Sequence, residues 1–523
     1  MDDPNTHPYA PIPAADPTIH DPRQRRAILV GVCLALMAVI ASVSGLNVAQ
    51  PQLARAFAAS QSDVLWMINL YTITMAALLL PLGAAGDRWG RKPVLITGLV
   101  VFGVASAAAG LAATTGVMLA ARWLSGVGAA LIMPVTLAVI TSTFPAGARS
   151  RAIGVWTAVA GGGGILGMFV SAVLVDLASW RWLFVLPVVL VLAAVPMALR
   201  ALPDSRAAPG HRFDGVGALT SLIAVVGFSF VLNEGPGQGW TAPATLLSLL
   251  AGAGSATGFV LWELRQQAPL LDVRLFRQRG LASGTVALLA VFGVPTGIFV
   301  VLYPFLQAVL GWSGLAATLA LMPMPMLMVA CSGFAPRLAA RIGARPTMAA
   351  GIFLGGAGLA LMALRVSVDG GYLSILPGYV VMGLGMGLAM APATEAITAS
   401  LPRERQGVAS ALNDVAREFG SALGVALLGA VFAAGYRKAI NPQLQGVPVQ
   451  AADAARKGIG SELASAGAAQ PCAKALFRSA QESFVQGWQQ AMWAGVLVMT
   501  VVLVYVLVGG PEREAVNRVP PLR

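Results

Sequence analysis

Long uninterrupted apolar runs constrain this chain more than any other feature of its sequence. A transmembrane α-helix needs about 20 consecutive apolar residues. The chain contains fourteen such runs, at 27–48, 63–83, 93–113, 115–141, 152–175, 182–200, 215–233, 243–263, 281–303, 314–335, 346–365, 372–400, 406–435 and 484–509. Only 11% of the 523 residues are charged, whereas a soluble domain carries about 25%. These observations predict an all-α polytopic membrane protein with fourteen transmembrane helices.

The basic residues lie mostly in alternate loops between these runs. Cytoplasmic loops of membrane proteins carry an excess of Lys and Arg. If the N-terminus is cytoplasmic, the short outer loops contain only Arg55, Arg181 and Arg365. We therefore predict a multi-pass protein of the cytoplasmic membrane with both termini in the cytoplasm. This topology also accounts for the formal net charge of +12 without a nucleic-acid partner, and the preference for Arg over Lys hints at a bacterial source.

A repeated motif indicates an internal duplication, which is common in secondary transporters. The stretch ARIGARP at 340–346 matches DRWGRKP at 87–93 in its Arg, Gly and Pro, and at the same displacement Gly407 corresponds to Gly154. The displacement exceeds six spans by about two helices, so two six-helix bundles with an inserted helix pair are predicted. The predicted parts are a disordered cytoplasmic N-terminal tail at 1–26, a bundle at 27–202, two inserted helices with cytoplasmic linkers at 203–280, a second bundle at 281–510 that includes a long extracytoplasmic loop at 436–483, and a cytoplasmic tail at 511–523.

A charged stretch, GAAGDRWGRKPV at 83–94, interrupts the second and third runs. Its glycines and charged residues are Gly83, Asp87, Arg88, Gly90, Arg91 and Lys92. The basic residues alone fit a cytoplasmic turn, but the acid and the glycine spacing need a further reason. Glycine lets helix ends approach closely, and Asp87 is placed to pair with Arg or Lys in partly desolvated surroundings.

Several stretches resemble the major facilitator superfamily, specifically its fourteen-span drug/proton antiporter branch. They are GAAGDRWGRKPV at 83–94, NVAQP at 47–51, AARWLSGVGAALIMP at 120–134, SWRWLF at 179–184 and LPRERQGVASALNDVAREFGSALGVALLG at 401–429. The resemblance implies a major-facilitator fold, alternating access and efflux of drugs by proton antiport. It also implies that the charged stretch joins the two halves on the cytoplasmic side, and that Arg122 is the buried arginine of the fourth span.

The chain departs from the family pattern at two places. Family members often carry an aspartate in the first span, where this chain has Ser42. In the fifth span the antiporter signature expects Gly-Pro followed by Gly-Gly, whereas Met168 follows Gly167, and Ser171 and Ala172 stand at the glycine pair. Both departures bear on whether proton coupling is retained.

Ionisable residues inside predicted spans are the candidates for proton coupling, because such groups are costly in a bilayer and usually functional. They are Asp414, Glu418, Glu395, Arg122 and Arg417. Asp414 and Glu418 are four positions apart and therefore share one helix face, with Arg417 beside them. Each has a structural alternative: a salt bridge near the helix start for the pair, an interfacial carboxylate for Glu395, and an ion-pair or carbonyl partner for Arg122.

Polar residues near the span ends are candidates to line a substrate cavity between the halves. They are Asn47, Asn69, Tyr71, Tyr303 and Gln307. The glycines of the fifth span, Gly154, Gly161, Gly164 and Gly167, lie in an apolar run and lack the P-loop pattern, so they predict close helix packing. The methionines at 322–328 fit either a flexible drug cavity or lipid-facing and core positions.

The favoured function is a secondary active exporter of small amphipathic molecules, such as drugs, dyes or self-made metabolites, driven by proton antiport. The alternatives are an uptake symporter or uniporter of the same fold, or a non-transporting membrane sensor. The histidines His7, His20 and His211 lie outside the spans, and no H-E-x-x-H or nucleotide-hydrolysis motif occurs. We therefore expect no enzyme activity, metal or cofactor. The expected partners are the substrate, protons and the bilayer, with the chain acting as a monomer.

Overall fold

The computed structural model describes residues 18–59, 61–203, 214–266, 269–445, 447, 452, 455–456 and 471–511. This part of the chain is helical, without a β-strand. Fourteen helices are long and apolar enough to cross a membrane. They are α1 Pro22–Val48, α2 Gln61–Trp89, α3 Arg91–Gly110, α4 Thr115–Thr143, α5 Ala146–Leu177, α6 Trp182–Ala201, α7 Gly215–Gln238, α8 Pro243–Glu263, α9 Arg279–Pro304, α10 Pro323–Ile342, α11 Ala344–Arg365, α12 Leu376–Ala399, α13 Gln406–Ile440 and α14 Pro471–Gly509.

Most helix ends extend beyond the apolar runs that predicted them. The second helix ends at Trp89 rather than at residue 83, and α13 ends at Ile440 rather than at residue 435. Backbone hydrogen bonds continue a helix through charged residues once these lie outside the hydrocarbon region, whereas hydropathy detects only the apolar part. The tenth run at 314–335 is confirmed as a span, Gly314–Ile342, but its helix is divided into Gly314–Ala320 and α10.

Two predicted irregular segments are partly helical. The first helix begins at Pro22, inside the predicted disordered tail, and the Asp21 side chain caps it by accepting from the amide of Arg23. The predicted loop at 436–483 is shorter, since α13 runs to Ile440 and α14 begins at Pro471. Residues 1–17 of the N-terminal tail lie outside the described residues, and so do most of the linker before α7, most of this loop and nearly all of the C-terminal tail.

The buried apolar side chains form one main core in each half of the molecule. The first extends from Ile28 to Leu202 and belongs to α1–α6. The second belongs almost entirely to α9–α14 and contains large side chains such as Phe305 and Trp488. Each half therefore packs around its own interior, as two bundles of six helices must.

The inserted pair α7–α8 packs at the seam between the two halves. Val225 of α7 lies in a small apolar cluster with Ala76 and Ala77 of α2, and Phe419 of α13 packs against it. The rings of Phe228 and Phe419 meet edge to face at 6.2 Å. The pair thus contacts one helix of each half, while α8 leaves most of its side chains exposed to the surroundings.

The internal duplication is visible in the helix packing. A Cβ on Gly83 of α2 would lie 2.7 Å from the Cβ of Ala411 in α13, and a Cβ on Gly154 of α5 would lie 3.0 Å from Cγ of Pro336 in α10. In the repeat, Pro336 corresponds to Gly83 and Gly407 corresponds to Gly154. The two close contacts between the halves are therefore equivalent positions of the duplicated unit.

Candidate functional site

Asp87 joins the two halves through backbone amides. Its carboxylate accepts hydrogen bonds from the amide of Gly407 at 2.9 Å and that of Val408 at 3.1 Å, and from Arg91 at 2.9 Å. These amides belong to the first turn of α13, where N–H groups lack an intrahelical acceptor and the helix dipole favours an anion. We call Asp87, Gly407 and Val408 the clasp. The predicted pairing with an arginine is present, but sequence reasoning missed the helix terminus.

Local sequence explains why the clasp fits. The side chain of Gln406 donates to the carbonyls of Thr398 at 2.9 Å and Leu401 at 2.8 Å, which holds the start of α13 in place. A Cβ on Gly83 would lie 2.6 Å from the carbonyl oxygen of Gly407, so only glycine permits this approach. Gly90 has a different role, since its φ of 99° lets the chain turn from α2 into α3.

Most of the charged stretch is helical, whereas a turn between the two helices was predicted. Asp87 and Arg88 lie in the last turn of α2, and Arg91 and Lys92 open α3. Gly90 alone separates the two helices. This arrangement orients Asp87 rigidly, because its backbone belongs to a helix rather than to a flexible turn.

A second polar contact joins the halves on the same side as the clasp. The hydroxyl of Ser150, in the second turn of α5, donates to the carboxylate of Glu395 near the end of α12. Odd-numbered helices begin on this side and even-numbered helices end on it, so this side is the predicted cytoplasmic one. Glu395 is half-buried and contacts the opposite bundle. No sequence signal singled out Ser150.

Asp414 and Arg417 form a buried ion pair in α13. Their closest charged atoms are 3.5 Å apart, and the side chain of Asn413 donates to the same Asp414 oxygen at 3.3 Å. The other carboxylate oxygen, Oδ2, has no hydrogen-bond partner. Arg417 also donates to the carbonyl of Ala160 in α5 at 3.3 Å, so the pair lies where the two halves meet.

Aromatic rings complete the surroundings of this pair. The guanidinium of Arg417 lies 4.5 Å from the ring centre of Phe292 and 5.6 Å from that of Trp156, one from each half. Glu418 is half-buried one turn after Asp414 and interacts electrostatically with Arg417 and with Tyr71 of α2. The predicted acidic pair thus faces the other bundle rather than the lipid.

Arg122 lies at the centre of a second buried cluster, in the N-terminal half. Its Nε donates to the carbonyl of Met67 at 3.0 Å, and its Nη1 donates to the hydroxyl of Ser42 at 3.0 Å. Its guanidinium lies 4.3 Å from the ring centre of Tyr71. The remaining nitrogen, Nη2, has no partner. Ser42, which occupies the position of the family aspartate, does contact Arg122, but it contributes no charge.

Four of the five predicted cavity residues lie in two separate groups. Tyr71 is buried and donates to the carbonyl of Val39 at 3.1 Å, and Asn69 is half-buried nearby on the same helix. Tyr303 donates to the carbonyl of Gly314 at 3.5 Å, at the opposite end of the bundle from the clasp, and exposed Gln307 lies beside the same glycine. Nothing in the described structure bears on the side chain of Asn47. A shared substrate cavity for these five stays a prediction.

Three of the four predicted packing glycines make close helix contacts. Gly154 packs against Ser332 and Pro336 of α10, Gly161 against Met328 and Met390, and Gly167 against Ala41 of α1. Met328 therefore fills the seam between the halves, while Met326 is 71% exposed. The role of Gly164 stays a prediction.

Comparison with known proteins agrees with this architecture. Residues 32–425 match the family model described as Major Facilitator Superfamily. The chain is 30% identical to the multidrug resistance protein Stp of Mycobacterium tuberculosis over 424 residues, which cover 81% of this chain and 79% of Stp. It is 30% identical to the multidrug efflux pump LfrA of Mycolicibacterium smegmatis over 472 residues, which cover 90% of this chain and 93% of LfrA.

A solved structure supports the fold independently of close sequence similarity. The proton:xylose symporter XylE superposes with a TM-score of 0.59 at 14% identity, covering 93% of this chain and 96% of XylE. From the sequence match and the fold together, we conclude that this chain belongs to the Major Facilitator Superfamily and has the fold of a transporter rather than that of an enzyme.

Proposed function

We propose that this protein exports small amphipathic molecules from a bacterial cytoplasm in exchange for protons, by alternating access between its two halves. The multidrug-resistance relatives support efflux, and the position of the buried charges supports coupling to protons. In this proposal the chain acts as a monomer in the cytoplasmic membrane, with both termini in the cytoplasm.

The observation that carries the proton-coupling proposal is the environment of Asp414. This carboxylate is fully buried, and one of its oxygens lacks any hydrogen-bond donor. A buried carboxylate with incomplete hydrogen bonding is costly as an anion, so it binds a proton readily when water is excluded. Because Arg417 links the pair to Ala160 of the other half, separation of the halves would expose Asp414 to water and allow release of the proton.

In this proposal, the clasp and the Ser150–Glu395 contact form the gate between the two halves. Both join the two bundles on the predicted cytoplasmic side, so the structure corresponds to a state closed on that side. Opening toward the cytoplasm must break the hydrogen bonds of Asp87 to α13 and that of Ser150 to Glu395. Arg122, about two turns from the opposite end of α4, would tune substrate or proton binding from the outer side.

The proposal is tested with purified protein in liposomes under an imposed pH gradient. A panel of cationic dyes, neutral antibiotics and lipophilic acids is screened for substrate flux and simultaneous proton flux. We expect opposed fluxes that disappear in Asp414→Asn and Glu418→Gln, because neither variant carries a titratable carboxyl group at that position. Asp369→Asn is the matched control, since it removes an exposed acid outside the spans. Substrate fluxes that do not depend on the pH gradient would contradict proton antiport.

One observation favours an alternative mechanism. The first-span aspartate of the family is Ser42 here, and the hydrogen-bond partners of Arg122 within the described part of the chain are neutral. A chain without that carboxylate has one proton carrier fewer, which suits a uniporter or a symporter. Substrate flux that follows only the substrate gradient would support this alternative, and absence of flux for every compound would favour a non-transporting sensor.

A further inference from the structure

We infer that Arg122 is the recognition point for the carboxylate of a small organic acid, so that the transported class is organic anions with an apolar body rather than lipophilic cations. The inference rests on the proposed export function and specifies its substrate class.

Arg122 is a fully buried cation, and its contacts among the described residues are all neutral. It has no exposed surface, and its hydrogen bonds go to the carbonyl of Met67 and the hydroxyl of Ser42. The face of Tyr71 offers partial compensation through its π-electrons. A buried guanidinium without a counter-charge is costly. The N-terminal half therefore holds a site that a bound anion would stabilise.

Arg417, the buried arginine of α13, has the counter-ion that Arg122 lacks. Arg417 forms an ion pair with Asp414 at 3.5 Å on its own helix. Glu418 interacts electrostatically with Tyr71 from the opposite half, but it forms no hydrogen bond or ion pair with Arg122.

The unused donors of Arg122 match a carboxylate. Nη2 has no acceptor, and Nη1 uses one of its two N–H groups on Ser42. Adjacent guanidinium N–H groups form two parallel bonds to the oxygens of a carboxylate, a geometry that an ammonium group does not provide. Serine has no carboxylate that could occupy these donors, whereas an aspartate at position 42 would. A lipophilic cation would meet an unpaired positive charge here and be disfavoured.

Binding of matched fluorescent probes tests the inference without requiring transport. The probes are dansylglycine, which carries a carboxylate, its neutral amide, and dansylcadaverine, which carries an ammonium group. Purified full-length protein in nanodiscs is titrated with each probe in chloride-free buffer. We expect the acid to bind at least about tenfold more tightly than its amide, since hydrogen bonds to charged groups contribute this much.

Variants at Ser42 separate the charge of the site from its shape. Ser42→Asp supplies Arg122 with a covalent counter-ion, so it should weaken binding of the acid by about tenfold or more and improve binding of the ammonium probe. Asparagine is nearly the same size as aspartate but carries no charge, so Ser42→Asn should still bind the acid more tightly than its amide. Arg122→Lys keeps the positive charge but loses the paired N–H donors, so it should reduce the difference in affinity between the acid and its amide. Size-exclusion profiles identify variants that do not fold.

Two results would overturn the inference. Equal affinities of wild-type protein for the acid and its amide would show that the carboxylate is not recognised. The second result is that millimolar chloride displaces the acid from the wild-type protein, and that chloride no longer binds in Ser42→Asp. It would identify a site for small inorganic anions instead. Neither result decides the proposed export function, because opposed substrate and proton fluxes are measured separately in liposomes. Conversely, failure of proton-coupled export would leave the measured acid preference intact.

Discussion

The carboxylate of Asp87 caps α13 from the opposite bundle, since it accepts the amide N–H of Gly407 at 2.9 Å. The two residues belong to different halves, so this hydrogen bond is present only while the halves are closed on the clasp side. Amides in the first turn of a helix have no intrahelical acceptor. Their exchange with solvent therefore reports on the clasp directly.

Replacing Asp87 by Asn should favour opening on the clasp side. The amide keeps one acceptor but loses the charge that interacts with the helix dipole and with Arg91. We expect a cost of about 1–2 kcal/mol and about a five- to thirtyfold increase in opening. Hydrogen–deuterium exchange of the amides of Gly407 and Val408 measures this increase in opening. Glu404→Gln, which removes an exposed acid just before α13, is the control, and an equal effect there would contradict the clasp.

A methyl group at Gly83 should hinder closure for steric reasons. The added Cβ would lie 2.6 Å from the carbonyl oxygen of Gly407 and 2.7 Å from the Cβ of Ala411, so the closed state should lose about 1–3 kcal/mol. Faster exchange of the first turn of α13 is the expected readout. Gly429→Ala lies on the same helix with nothing within 4 Å of its Cβ and should leave exchange unchanged.

Ser150→Ala tests whether the second contact acts on the same equilibrium. Loss of the hydroxyl leaves the carboxylate of Glu395 without its partner from α5, at a cost of about 1 kcal/mol to the closed state. Combined with Asp87→Asn, it should increase opening by the product of the two single effects, because both variants weaken the same closed state. An effect of Ser150→Ala on exchange at α5 alone, with none at Gly407, would show that the contact is only local.

Asp414→Asn should abolish coupling while preserving the fold. Asparagine is nearly isosteric and keeps a hydrogen-bond acceptor for Arg417, but it carries no proton that water access could release. In liposomes with an imposed pH gradient, substrate accumulation should fall at least about tenfold relative to wild type. Binding of the substrate, measured separately, should persist. Undiminished proton-coupled flux in this variant would exclude Asp414 from the mechanism.

The exposed pair of Asp369 and Arg478 should make stability depend on acidic pH. Hydrogen bonds from Arg478 hold the pKa of Asp369 below its usual value. A lowered pKa in the folded state stabilises the protein above the unfolded value of about 3.9, and this contribution is lost as the pH falls below that value and through the lower folded-state pKa. The difference in Tm between wild type and Asp369→Asn should therefore be small but measurable near neutrality and should shrink as the pH is lowered below about 4. A difference in Tm that increases as the pH is lowered would contradict a lowered pKa of Asp369 in the folded state.

The existence and number of the spans were predictable from the sequence alone. A bilayer requires each span to be apolar over about 20 residues and to satisfy its own backbone hydrogen bonds, and both requirements are local. The same holds for the charged stretch at 83–94, whose glycines and acid were recognisable as a motif. Helix ends such as Trp89 and Ile440 were missed, because helices continue into charged residues where hydropathy falls.

The partners of the functional side chains required the tertiary structure. Asp87 meets Gly407, Ser150 meets Glu395, and Arg122 meets Ser42, and each pair is separated by 80 residues or more along the chain. Local propensity and hydropathy contain no information on which helices become neighbours, since that depends on the packing of glycines and apolar side chains across both bundles. The sequence thus determined a fourteen-span transporter, whereas only the packing decided which charge is paired, like that of Arg417, and which lies among neutral groups, like that of Arg122.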